Sequence, residues 1–432
     1  MSKYMQSIRG VVNVEITNKF ATHLGNTVGN YVGAGKNVVV GRDLNIPSQM
    51  IKRSITTGLM SSGVNVIDFG IAPIPVIHHA MGLYEASVVI TISKSHLRPE
   101  DIDIKILSEQ EVPLEQRHAE KVPWNQIGQL MYVHEYKEYY MAGALKQINT
   151  EIIKNKAFMV VLDCEKGRDV PLISELLNKL DCETVLIQTQ EESDINFPEP
   201  SPKRISVLSE LTTALGADIG VVLDNDRDRA VFIDQKGNII REQTVLNIFA
   251  KHALEINPES NIVSSVIASQ SLDETVENGG GKLIKTSVDN VLNEIDVSNA
   301  VFGGDEPGMY VFPEFQTCFD AIFAVLKMLE ILALKDTTLY QLTTEIKEYN
   351  RTGFTIECEH EKKDEVIELI KTKFESGKKI NTVDGVRVDL EDSFILIRPS
   401  RFDPLIRVYI ESKSALDLQK LTESVKNIIE NV

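Results

Sequence analysis

The amino-acid sequence predicts an α/β protein: three similar mixed α/β domains, then a smaller C-terminal α+β domain. Three observations carry that prediction. Apolar runs of strand length alternate with helical stretches in three successive cycles. The alternation stops near residue 349 and gives way to hairpin-spaced strands and two helices. The chain is 432 residues long, which suits about three or four domains. The expected domains are 1–137, 138–237, 238–349 and 350–432.

The first cycle opens with an apolar run at 37–40 that ends in Gly41, Arg42 and Asp43. A helix is expected over 48–62, with Met50, Ile51, Ile55, Leu59 and Met60 on its apolar side and Gly63 as its stop. Strands at 64–69 and 86–92 flank the proline-punctuated loop 70–75 and a helix to about Met81. Strands separated by helices of this length point to a parallel sheet covered on both faces. The rhythm restarts with a strand at 157–163, a helix at 170–180 and a strand at 184–187. The proline-rich stretch 197–202 reads as a surface connection. The third cycle has a helix at 242–254, a strand at 262–268, a helix at 272–277 and a strand at 282–285. A nearly apolar helix at 321–334 is expected to be buried. Beyond it come strands at 352–358, 386–390, 394–398 and 406–412, with helices at 364–376 and 416–432.

Hydrophobic residues make up 43% and charged residues 25%, ordinary values for a globular protein. A net charge of −18 argues against nucleic acid or an anionic membrane as the main partner. No apolar run approaches the ~18 residues of a membrane span. The first ten residues lack the apolar core of a signal peptide. Cys164, Cys182, Cys318 and Cys358 are scattered, without a CxxC pair, which fits a reducing cytoplasm.

Four polar clusters stand out, one per expected domain. Residues 220–234 read GVVLDNDRDRAVFID, an apolar strand that delivers Asp224, Asp226 and Asp228, then Arg229 and a second strand. Three carboxylates so close repel one another unless a cation lies between them, and Mg²⁺ suits such oxygen donors. An acidic hairpin turn is the competing reading. Residues 91–105, TISKSHLRPEDIDIK, place Ser95 and His96 where a strand gives way to a loop. A serine there can carry a phosphoryl group, with Lys105 to move a proton or stabilise charge; a capped polar loop is the plainer alternative. Residues 302–310, FGGDEPGMY, offer fixed acceptors for sugar hydroxyls, or make an ordinary turn. Residues 398–407, RPSRFDPLIR, gather Arg398, Arg401 and Arg407 into an anion site within an acidic protein.

In that order, the clusters resemble the α-D-phosphohexomutase family over nearly the whole chain. Ile8-Arg9-Gly10 is similar to the family's N-terminal Gly-Ile-Arg-Gly, with Ser7 in place of the first glycine. Gly41-Arg42-Asp43 and Pro73-Ile74-Pro75 match further segments, and residues 93–105 align without gaps to the phosphoserine loop. Asp163, Cys164 and Gly167 are similar to the start of the second domain. Residues 224–229 fit the metal loop Asp-Gly-Asp-x-Asp-Arg, and Asp384-Gly385 with 398–407 match the last domain. The loop 302–315 looks most like the archaeal phosphoglucosamine mutase branch. Departures flank these matches. Lys94, Leu97 and Arg98 replace Ala, Asn and Pro around Ser95, and Ile102-Asp103 replaces the Asn-Gly before the lysine. Asp305 replaces glutamate, Pro307 replaces serine or cysteine, and Met309 stands where many bacterial members carry histidine. Phe402 and Asp403 replace threonine and glutamate.

The resemblance implies domains around a central cleft. It implies interconversion of a hexose 6-phosphate and a hexose 1-phosphate, the sugar being glucosamine, mannose or glucose. Ser95 would carry the phosphoryl group, with Arg9 and Arg229 beside it, Lys105 for proton transfer and His96 orienting the loop. Asp224, Asp226, Asp228 and the Ser95 phosphate would hold one Mg²⁺ per chain. Gly304, Asp305 and Pro307 would meet the sugar, and Arg398, Ser400 and Arg407 the distal phosphate. A hexose 1,6-bisphosphate is the expected activator, and the resemblance allows a homodimer. Two alternatives compete: a paralogue that binds sugar phosphate and Mg²⁺ without turnover, and a metal-dependent phosphatase.

Overall fold

The computed structural model describes residues 4–95, 98, 100–114, 121–164, 170–187, 201–374, 379–400 and 404–429. The chain forms two compact units, Met1–Arg241 with Gly308–Leu342, and Glu242–Pro307 with Thr343–Val432.

The first unit begins with a six-stranded sheet of β1 (Tyr4–Val11), β2 (Asn37–Arg42), β3 (Asn65–Ile71), β4 (Ala86–Lys94), β5 (Asp101–Ser108) and β6 (Leu130–Tyr132), in the order β1-β5-β4-β2-β3-β6. β4, β2, β3 and β6 are parallel, as the strand–helix rhythm predicts. The edge departs from that prediction: β5 runs antiparallel to both β4 and β1, so the sheet is mixed. Residues 95–100 are too few for a helical crossover, and the chain returns as a hairpin. Alternate residues of this hairpin face opposite ways. Ile90, Ile92, Ile102, Ile104 and Ile106 enter the core against Ile51, Ile55 and Leu59 of the helix Ile46–Ser61. Thr91, Ser93, Ser95, Asp103 and Lys105 share the other face. The helix Asn18–Val32, capped by the Thr17 side chain on the Phe20 N–H, packs beside Ile46–Ser61 on the apolar side.

The second sheet has the order β10-β9-β7-β8, from β7 (Met159–Asp163), β8 (Glu183–Ile187), β9 (Ile219–Leu223) and β10 (Ala230–Asp234). β7, β8 and β9 are parallel, and β10 folds back antiparallel on β9. Both strands of that hairpin are buried along their whole length, so the acidic turn joining them is fixed at each end. The segment 308–342 packs in this unit. Its helix Ala321–Lys335 is buried from Ala321 to Ala333, as its apolar composition predicts. Asp320 caps that helix at the Phe323 N–H and accepts the Tyr140 hydroxyl at 2.7 Å.

In the second unit β11 (Asn261–Ser265) lies between parallel β12 (Lys282–Thr286) and β13 (Phe302–Asp305). A five-stranded antiparallel sheet follows, in the spatial order Asn350–Glu357, Leu405–Ser412, Ser393–Pro399, Val386–Asp389, Lys379–Asn381. One face packs Ile395, Ile397, Ile406, Val408 and Ile410 against Val366 and Val425 of two helices. Phe394 and Leu396 on the other face meet Val266 and Ile267.

Candidate active site

The polar face of the β4–β5 hairpin is the floor of the candidate site in the first unit. Arg9 on β1 and Ser93 on β4 both stand opposite Asp103 on β5. Ser7 and Thr91 stand opposite Lys105. The Arg9 guanidinium grips the Asp103 carboxylate at two points, with Nη2 donating to Oδ2 at 3.0 Å and Nε to Oδ1. Ser95 is buried, and its N–H donates to the Asp101 carbonyl at 3.0 Å, which closes the loop behind it. Asp43, from the Gly41-Arg42-Asp43 motif, accepts the Lys94 N–H at 2.7 Å and so fixes the residue before Ser95. His96 lies outside the described residues.

The Asp loop meets this floor. Arg227 adopts a left-handed φ of 60° and is almost fully buried. Its guanidinium donates to the carbonyls of Asp224 and Cys164, and its own carbonyl accepts the Ala321 N–H at 3.0 Å. Asp224 Oδ1 accepts the N–H groups of Asp228 at 3.1 Å and Arg229 at 3.2 Å. With its backbone held in this way, the loop sends Asp226 and Asp228 onto the hairpin. Ser93 Oγ donates to Asp226 Oδ2 at 2.9 Å. Lys105 Nζ reaches Asp228 Oδ2 at 2.7 Å and Asp226 Oδ2 at 3.3 Å. Arg229 Nε lies 4.0 Å from Asp228 Oδ1.

The electrostatics follow from burying five charges together. Burial works against the Lys105 ammonium, but Asp228 and Asp226 outweigh it and hold the lysine well above its usual range. Burial also disfavours the Asp228 carboxylate, yet Lys105 and Arg229 pull it well below the ordinary range. Asp226 is pushed up to about 6 by burial, with Lys105 opposing. Asp224 rises well above its usual value through burial and then the neighbouring Asp228. Three carboxylates face only two cations, Lys105 and Arg229, so full ionisation of the loop calls for a further positive charge, and its carboxylate donors are hard oxygens. That chemistry suits a divalent cation of the Mg²⁺ type. Among the described residues no three His, Cys, Asp or Glu side chains converge as a finished metal-binding group, and Lys105 bridges Asp226 and Asp228.

The second unit carries the other candidate residues. Gly304 is buried, and its carbonyl accepts Ser264 Oγ at 2.8 Å. Asp305 is turned inward onto Ser265 Oγ, only 2% exposed, and burial pushes its carboxyl up to about 7. Pro307 is exposed. The more accessible carboxylate of this turn is Glu306, with its side chain 21% exposed and paired to Arg351 at 2.6 Å. The sequence reading counted Glu306 among the acceptors of this loop without naming it as a site residue, its signal being its place beside Asp305. Arg398 and Arg407 face each other across adjacent strands. Arg398 Nε donates to Asp384 Oδ2 at 2.6 Å. Gly385 has a φ of 82°, and a Cβ there would run into the Ile397 carbonyl, so only glycine fits beside Asp384. Ser400 is buried, its N–H bonded to the Leu405 carbonyl at 3.0 Å and its carbonyl to Lys363 Nζ at 2.7 Å. Arg401, Phe402 and Asp403 lie outside the described residues. Lys363, Ser93, Asp43 and Arg227 had no assigned role in the sequence, although the last three lie in the matched segments; their contacts with Ser400, Asp226, Lys94 and Cys164 are distant in sequence.

Comparison with known proteins covers the whole chain. Four consecutive segments match phosphoglucomutase/phosphomannomutase: α/β/α domain I at residues 2–125, domain II at 138–237, domain III at 242–349 and the C-terminal domain at 355–428. A protein of Pyrococcus abyssi named a probable phosphoglucosamine mutase is 30% identical, over 100% of this chain and 98% of its own length. A protein of Methanococcoides burtonii with the same name is 32% identical, over 98% of this chain and 97% of its own. The crystal structure of a phosphoglucomutase/phosphomannomutase family protein from Burkholderia thailandensis superposes with a TM-score of 0.84 at 22% identity. It spans 99% of this chain and 96% of its own.

Proposed function

This chain belongs to the α-D-phosphohexomutase family, and on that premise we propose that it interconverts a hexose 6-phosphate and a hexose 1-phosphate through a phosphoserine at Ser95. It is a phosphosugar mutase, an enzyme of the isomerase class. The names of its archaeal relatives favour glucosamine as the sugar, with mannose and glucose next. The observation that carries the reading is the Lys105 bridge to Asp226 and Asp228. It joins the acidic loop to the hairpin that bears Ser95, two residues beyond the Ser93–Asp226 hydrogen bond.

In the proposed reaction the substrate's free hydroxyl attacks the phosphorus on Ser95. The new O–P bond forms as the bond to Ser95 Oγ breaks, and the hydroxyl proton ends on the released Ser95 Oγ. The resulting bisphosphorylated sugar then returns its other phosphoryl group to Ser95. Such transfer asks the protein for positioning and charge neutralisation. Lys105 lies within reach of Asp226 and Asp228, and it is proposed to neutralise charge, donate hydrogen bonds and pass the hydroxyl proton on to the departing Ser95 Oγ. Arg9 on the polar floor and Arg229 in the Asp loop are proposed to face the phosphoryl oxygens. Arg398, Ser400 and Arg407 are proposed to hold the phosphate that does not react, and Glu306 joins Asp305 as a candidate sugar acceptor. Asp224, Asp226, Asp228 and the Ser95 phosphate are the groups proposed to hold Mg²⁺, which supplies positive charge against the transferring oxygens. The hexose 1,6-bisphosphate serves as the proposed primer of Ser95.

The test is ³¹P NMR of glucosamine, mannose and glucose 6-phosphates mixed with the protein, Mg²⁺ and a trace of the matching bisphosphate. The reading expects a 1-phosphate resonance that grows with wild type and not with Ser95→Ala. Equal traces from the two proteins would refute it. The non-catalytic reading draws support from the altered serine and phosphate loops, with Lys94, Leu97, Arg98, Phe402 and Asp403, and the same spectra decide it.

A further inference from the structure

We infer that Arg351 is a positioning residue that fixes the sugar loop at a set spacing from the phosphate-binding arginines, a role that rests on the mutase reading above. Its guanidinium joins two elements of the second unit. Nη1 donates to Glu306 Oε1 at 2.6 Å, and Nη2 donates to the Ile267 carbonyl at 3.1 Å. The Tyr409 and Phe394 rings flank it, with centroids 5.4 and 5.8 Å from the guanidinium carbon. Ile267 lies two residues beyond Ser265, whose hydroxyl holds Asp305. Both carboxylates of the turn are therefore held from behind. Ser265 holds Asp305 from the neighbouring parallel sheet, and Arg351 holds Glu306 from the C-terminal sheet.

Strand register shows what else that sheet brings to the loop. Arg351, Gly353 and Thr355 stand opposite Glu411, Tyr409 and Arg407, which stand opposite Phe394, Leu396 and Arg398 on the next strand. Alternate residues share a face, so Arg351, Arg398 and Arg407 lie on the same side of the sheet. It is the side on which Phe394 and Leu396 meet Val266 and Ile267. Glu411 extends this contact by accepting Ser269 Oγ at 2.9 Å and the Gln270 N–H at 2.8 Å. Arg407 stands four residues from Glu411 along the strand, about 13 Å at ~3.3 Å per residue. Burial raises the Asp305 carboxyl and Arg398 opposes it, so this arginine lies within electrostatic reach of the sugar loop. One sheet face thus carries the phosphate-binding arginines at one end and, through Arg351, the sugar loop at the other. A hexose phosphate held at its distal phosphate meets Glu306 at the right spacing only while Arg351 keeps that side chain in place. A contact to a sugar hydroxyl is made before and during transfer alike, so its loss falls on KM more than on kcat.

The experiment is a four-variant cycle of wild type, Arg351→Met, Glu306→Gln and the double variant. Each is assayed for kcat and KM with the hexose 6-phosphate that wild type turns over best. If wild type turns over none, the mutase reading itself fails and the assignment falls with it. With turnover established, Arg351→Met is expected to raise KM about tenfold, with kcat moving less than about threefold. A merely structural role would lower the amount of active enzyme and leave KM where it was. In the Glu306→Gln background Arg351→Met is expected to raise KM by less than about threefold, because its effect passes through Glu306. A wild-type KM in Arg351→Met, or an undiminished rise in the Glu306→Gln background, would overturn the assignment. If Arg351→Met does not fold, Arg351→Lys takes its place, since it keeps the charge without the planar fork. A KM raised about threefold or more in that variant supports the assignment, and a wild-type KM overturns it.

Discussion

Lys105 holds two buried carboxylates, and its removal leaves both without their nearest cation. Lys105→Met is expected to cost about 2.7–4 kcal/mol of barrier, a rate loss of about a hundredfold to a thousandfold, checked by steady-state kcat. Asp305 gives a prediction in pH. Its carboxyl is raised to about 7 in the folded protein, mainly by burial, against an unfolded value near 4. Between those values the folded state binds a proton that the unfolded state has lost. Asp305 therefore makes stability fall as pH rises through that window, with a limiting slope of about 1.4 kcal/mol per unit. Asp305→Asn should melt with a shallower decline from pH 4 to 7, and unchanged melting curves would contradict the inward placement. Both residues were legible in the sequence, but the direction in which Asp305 faces was not. Orientation depends on Ser265, which lies forty positions away.

At the scale of elements, the helices Asn18–Val32 and Ile46–Ser61 cross at Gly25 and Gly58. A Cβ on Gly25 would strike the Ile55 carbonyl oxygen, and one on Gly58 the Thr22 carbonyl oxygen. Backbone cannot yield as a side chain does, so Gly25→Ala and Gly58→Ala are each expected to destabilise by about 1–3 kcal/mol, read by thermal or urea unfolding. Period-two and period-3.6 patterns made most strands and helices legible in the sequence. Three of the missed elements have physical reasons. β1 alternates weakly, as Tyr-Met-Gln-Ser-Ile-Arg-Gly-Val, and Asn18–Val32 places Gly25, Asn26, Gly29 and Asn30 along its contact with the neighbouring helix. β5 does alternate, with Ile102, Ile104 and Ile106 between Asp101, Asp103 and Lys105, but its polar half makes the stretch 91–105 read first as a polar loop. That alternation sorts core from chemistry, and it places Ser93, Ser95, Asp103 and Lys105 on one face.

For the whole molecule, the order of four polar clusters along the chain conveyed the family, because each occupies a turn fixed by a separate sheet. What the order could not convey was the wiring between turns. Asp226 meets Ser93 and Lys105 from more than a hundred residues away, and Arg227 reaches back to Cys164. If that wiring serves Mg²⁺, EDTA should abolish mutase turnover and Mg²⁺ should restore it, while a turnover indifferent to chelation would count against the Asp loop as the metal site. The central claim is that Ser95 carries the phosphoryl group. The most direct measurement is intact mass and phosphopeptide mapping before and after addition of glucosamine 1,6-bisphosphate and then glucosamine 6-phosphate. The account predicts one phosphate on Ser95 that leaves to the added sugar phosphate. An unmodified Ser95 under every one of these conditions, in a protein that still turns over, would contradict it.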